Sequence, residues 1–106
     1  SKWAVIGLME SLAIELGPYN INVNAICPGS VEGDRLEKVI DAEVISKGMS
    51  RDKIYKAYTE GTSLKKLISP KDVADMALFL ASQKSKLVSG QVIAVDGHTE
   101  VPDPKF

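Results

Sequence analysis

A chain of 106 residues with 44% apolar and 25% charged side chains suffices for one small domain and excludes disordered and collagen-like classes. The formal net charge of -1 gives no basic face for nucleic acid, and the single cysteine, Cys27, cannot build an internal disulfide, a redox pair or a zinc cluster. Glu10, Glu15 and Gly17 interrupt the most hydrophobic segment short of the roughly 20 apolar residues of a membrane span, so a soluble protein of the reducing cytoplasm is expected.

The chain opens as though inside a helix, without the basic, apolar and small-residue order of a signal peptide. Leu, Met, Ala and Glu predict a helix over Lys2 to Leu16, with Gly17-Pro18 as its stop. Its apolar residues, from Trp3 and Val5 to Ile14 and Leu16, surround most of the circumference. Such a helix is buried on two sides: one covers a sheet, and the other is expected to meet a further subunit.

Ile21 to Ile26 reads as a strand that stops at Pro28-Gly29, where proline removes a donor and glycine lets the backbone approach a ligand. In open α/β sheets, such carboxyl ends are where cofactors lie. Residues 35–68 then predict two modest helices between glycine breaks, one up to Gly48 and one from the N-cap Ser50 to Gly61, at the place of a substrate lid. Tyr55 and Tyr58 share a stripe there, as packing or pocket-lining aromatics.

Ser69-Pro70-Lys71-Asp72 is a helix start, followed by the expected buried face Val73, Ala74, Met76, Ala77, Leu80 and Ala81. Gln91 to Val95 predicts a buried strand closed by Asp96-Gly97, and residues 98–106 an irregular tail tied down by Phe106. The order helix, strand, helical insert, helix, strand implies parallel pairing with right-handed crossovers. Two strands are few for an independent α/β sheet, so part of a domain is expected.

The segments SKWAVIGLMESLAIEL, INVNAICPGSV, SPKDVADMALFLAS and SGQVIAVDG, in that order over nearly the whole chain, resemble the short-chain dehydrogenase/reductase family. The resemblance implies an α/β fold, the C-terminal portion of a Rossmann-like doubly wound parallel sheet, incomplete in this chain, with residues 1–106 as part of one such domain. It implies an NAD(P)-dependent oxidoreductase that moves hydride between nicotinamide and a secondary alcohol or ketone. The cofactor is NAD or NADP, and the residues that choose between them lie on an early strand outside these residues.

Family members carry a Tyr-x-x-x-Lys motif whose lysine falls on Lys2, with the acid/base tyrosine upstream of residue 1. The resemblance therefore makes Lys2 catalytic and cofactor-binding: its ammonium meets the nicotinamide ribose and favours the tyrosine's phenolate. Without the family it reads as a solvated lysine near a chain end. Pro28, Gly29 and Val31 match a segment beside the nicotinamide, with Val31 offering backbone groups to the carboxamide. Many members have threonine at the place of Gly33, and here its hydroxyl is lost.

Glu32 and Arg35 are expected on the substrate side, either binding a polar or anionic group or pairing with each other or with solvent. Cys27 reads as a small buried hydrophobe, His98 as a surface or interface residue, and Asn24 as a partner for backbone groups. No metal site is expected. The expected partners are a small alcohol or carbonyl substrate, the N-terminal remainder of the same enzyme, and further copies in a homodimer or homotetramer, without nucleic acid or membrane. The alternative function is a catalytically inactive fragment acting only as a folding or assembly module.

Overall fold

A computed structural model of the chain describes residues 1–99, so Phe106 and the prolines of the tail lie outside the described residues. Helix α1 spans Lys2–Leu16, and the Ser1 hydroxyl accepts the Ala4 amide at 3.3 Å as its cap. Along it Lys2, Ile6, Met9, Leu12, Ala13 and Leu16 are the more buried positions, and Met9 is the buried one among them. Its other apolar face is open: Trp3 is 70% exposed and Ile14 79%.

The helix does not stop on a left-handed glycine. It tightens into a 3-10 turn over Gly17–Tyr19, and Asn20 takes the left-handed conformation at φ 61°. Asparagine tolerates that region better than most residues.

The strand expected at Ile21 to Ile26 is displaced: β1 spans Ala25–Pro28. Residues 22–24 face the loop before the second strand and bond to it mainly through side chains. The Asn22 amide donates to the carbonyls of Ser85 and Lys86, and the Val23 amide to the Ser89 hydroxyl. Asn24 donates to the Val88 carbonyl at 2.9 Å and accepts the Gln91 amide at 3.1 Å, the backbone-satisfying role expected of it.

Strand β2, Val92–Val95, pairs with β1 in parallel from Ala25↔Val92 to Pro28↔Val95. Pro28 is therefore the last paired residue of the ladder, where the sequence places the stop. Ala25 donates to the Gln91 carbonyl and Gly29 to the Val95 carbonyl, each at 2.9 Å. Amides alternate sides along a strand, so the nitrogen of Pro28 faces the edge away from β2, where a missing donor costs this ladder nothing.

A parallel pair needs a crossover, here supplied by three helices. Helices α2 (Asp34–Lys47) and α3 (Arg51–Glu60) form a hairpin closed by Ile40 and Ile54, both buried. Arg51 joins it to Glu37 and Asp41. Ser50 caps α3 by accepting the Lys53 amide, as the sequence predicts. Helix α4 (Pro70–Leu80) then packs against both strands, with Val73, Met76 and Leu80 half-buried along its inner face, whereas Ala74, Ala77 and Ala81, expected to be buried with them, are exposed. Its start is a reciprocal cap in which Asp72 donates its amide to the Ser69 hydroxyl and accepts the Ser69 amide. Among the described residues no helix is long and apolar enough to cross a membrane.

Candidate functional site

The end of β1 carries the sequence-predicted loop. A Cβ placed on Gly29 would lie 2.8 Å from the Asp96 Cβ and 2.9 Å from its Cα. The close approach that requires glycine among the described residues is thus to Asp96, just past the end of β2. Asp96 is itself held, because its carboxylate accepts the His98 amide at 2.8 Å.

Beyond Gly29 the chain runs beside a second segment. Ile68 donates its amide to the Ser30 carbonyl at 3.0 Å and accepts the Glu32 amide at 2.7 Å, making Val31↔Ile68 a parallel bridge. With residues 30 and 32 bonded toward Ile68, alternation points the amide and carbonyl of Val31 to the opposite side. Neither takes a partner among the described residues. One donor and one acceptor, adjacent and parallel, form the complement of a primary carboxamide.

Gly33 follows at φ 145° and ψ -177°, a conformation open almost only to glycine. A threonine at this position would be strained, which gives the missing hydroxyl a backbone reason. Pro28, Gly29, Val31, Glu32, Gly33 and Arg35 line one hollow of about 460 Å³. Glu32 and Arg35 are exposed and form no salt bridge with each other or with any described residue.

Lys2 sits elsewhere. As the first residue of α1 it lines a second hollow of about 380 Å³ with Trp3, Ile6, Cys27, Ala94 and Asp96. Cys27 and Pro28 are consecutive strand residues whose side chains point to opposite faces, and each lines a different hollow. The described residues therefore bring Pro28, Gly29, Val31, Glu32 and Arg35 together and leave Lys2 in a separate hollow beside the same strand end. Cys27 is half-buried at the wall of the Lys2 hollow, not a core hydrophobe.

In the α2–α3 hairpin, Tyr58 donates to Glu43 at 3.0 Å, and Tyr55 points outward, 39% exposed. Burial first, then the Glu43 carboxylate, raises the Tyr58 phenol above its ordinary range. His98 is exposed and contacts the Ser63 hydroxyl at 3.0 Å through Nδ1. Among the described residues no group of three His, Cys, Asp or Glu side chains is placed to hold a metal ion.

Two residues that shape the loop, Asp96 and Ile68, drew no functional reading from the sequence. Asp96-Gly97 reads only as a strand stop. Ile68 is one apolar residue before a helix cap, and its partners lie far away along the chain.

The family whose description is enoyl-(acyl carrier protein) reductase matches residues 1–98. A 7alpha-hydroxysteroid dehydrogenase from Escherichia coli (strain K12) is 37% identical over 97 residues, covering 92% of this chain and 34% of its own length. A short chain dehydrogenase family protein from Francisella tularensis superposes with a TM-score of 0.84 at 34% identity, covering 91% of this chain and 40% of that one. A 3-oxoacyl-(acyl-carrier protein) reductase with bound NAD from Brucella melitensis gives a TM-score of 0.70 at 35% identity, over 95% of this chain and 32% of its own. The chain spans 34% to 40% of the length of the curated relatives it matches.

Proposed function

The chain belongs to the short-chain dehydrogenase/reductase family, and from that premise we propose that it supplies one side of the active site of a nicotinamide-dependent oxidoreductase. The observation that carries this reading is the free, paired amide and carbonyl of Val31. They match a nicotinamide carboxamide in donor and acceptor, at the strand end where α/β sheets bind such groups. A solved relative with bound NAD supports the same cofactor class. When bound, the nicotinamide donates or accepts hydride at its C4.

In this proposal Pro28, Gly29 and Val31 wall the nicotinamide, and the α2–α3 hairpin within residues 35–68 covers the substrate. Glu32 and Arg35, exposed and unpaired among the described residues, meet the polar part of a secondary alcohol or its ketone. Lys2 holds the ribose hydroxyls, and its positive charge favours the phenolate of the tyrosine that the family motif sets just ahead of it, easing proton transfer at the substrate oxygen. The open face of α1, with Trp3, Leu8 and Ile14, supplies contacts to the remainder of the enzyme or to further copies. Residues 1–106 taken alone are then inactive.

The test uses the full-length protein, titrated with NADH and NADPH and assayed on a panel of secondary alcohols and ketones. We expect one of the two cofactors to bind, turnover with at least one alcohol/ketone pair, and a loss of about 10²-fold or more in kcat for Lys2→Ala. Absence of nicotinamide binding overturns the reading. Unchanged kcat in Lys2→Ala overturns the role of Lys2 while leaving that of Val31 standing.

A further inference from the structure

We propose that Ile68 is a positioning residue for the nicotinamide: its main chain sets the direction of the Val31 amide and carbonyl, so that the exit of the helical insert holds the cofactor loop in its binding form. The inference rests on the reading of Val31 given above.

Loop 29–32 projects beyond the sheet, where a free backbone would sample many conformations and lose entropy on meeting a ligand. Here it is fixed from two sides. Gly29 donates to Val95 at 2.9 Å on the β2 side, and the two bonds at 2.7 and 3.0 Å tie Ser30 and Glu32 to Ile68. Both bonds at Ile68 leave the Val31 peptide groups aimed away from it, so the bridge works as a short strand that orients its neighbour.

Ile68 is itself anchored, since its side chain is 7% exposed and the next residue, Ser69, caps α4. The chain leaves loop 29–32 directly into α2 and returns at Ile68 after α3. Entry and exit of the insert are thereby paired at its base. A substrate that shifts the insert acts on Val31 through these two bonds, without touching it.

The experiment compares, in the full-length protein, the affinity for the reduced cofactor with that for ADP-ribose or its 2'-phosphate, which lack nicotinamide. The ratio isolates what nicotinamide contributes. Ile68→Pro removes the amide that reaches Ser30, Glu32→Pro removes the other bond, and Glu32→Ala, which keeps that amide, serves as the reference that accounts for loss of the carboxylate. Each proline variant is expected to keep ADP-ribose affinity within about twofold and to lose about tenfold or more of the nicotinamide increment. Ile68→Val, which keeps both bonds, is expected to restore that increment.

If the folded proline variants keep the full increment, or Glu32→Pro loses no more of it than Glu32→Ala, the inference is overturned. If the unaltered protein shows no increment, the underlying reading of Val31 fails instead. Should Ile68→Pro not fold, Glu32→Pro against Glu32→Ala decides alone.

Discussion

At the scale of single residues, the loop after β1 needs its glycine for a contact within the chain. Gly29 stands out in the sequence because Pro-Gly ends a strand. Among the described residues its close approach is to Asp96, whose Cβ lies 2.8 Å from where an alanine methyl would be. Gly29→Ala in the full-length protein is therefore expected to destabilise by about 1–3 kcal/mol, because backbone and strand end must separate. A lower urea midpoint at unchanged slope would register this. An unchanged midpoint would mean that the loop leaves Asp96 at no cost. Lys2 and Val31 were legible only through the family motif, since a terminal lysine and a lone valine have no distinctive chemistry.

At the scale of elements, helix starts were readable and strand limits were not. Ser69 and Asp72 form the reciprocal cap that their spacing predicts, because capping is settled within one turn of chain. Two hydrogen bonds from Ser69, first its backbone amide, hold the Asp72 carboxyl below its ordinary range. A carboxyl lowered in the folded state stabilises it fully above the unfolded pKa, and the gain fades as pH falls through the folded one. The stability difference between the unaltered protein and Asp72→Ala should be constant above about pH 5 and shrink progressively as pH falls from the ordinary carboxylate range through the lowered one. Paired melts across that range would test it; a difference independent of pH would assign the effect to helix propensity instead.

The strand start had no such local signature. Ile21 to Asn24 alternate as well as any strand, yet the structure holds 22–24 through Asn22, Asn24 and Ser89 to a loop distant in sequence. Only from Ala25 does a partner strand lie alongside.

At the scale of the whole molecule, α1 leaves Trp3, Leu8 and Ile14 open to solvent, with exposures of 61% to 79%. Expressed as residues 1–106 alone, the chain is expected to self-associate, with light scattering giving a mass well above 11.4 kDa. Trp3→Lys with Ile14→Lys should reduce that mass. A monomeric mass for the unaltered chain would remove the case for this face as a contact. By itself the sequence determined the element order, the helix caps, the surplus apolar face of α1 and the family, since these rest on local chemistry and on motifs contiguous in the chain. Only the tertiary structure decided that Pro28 pairs with Val95, that Asp96 lies beside Gly29, and that Ile68 orients Val31. Each of those depends on which distant backbone lies alongside, and backbone hydrogen bonds leave no mark on residue type.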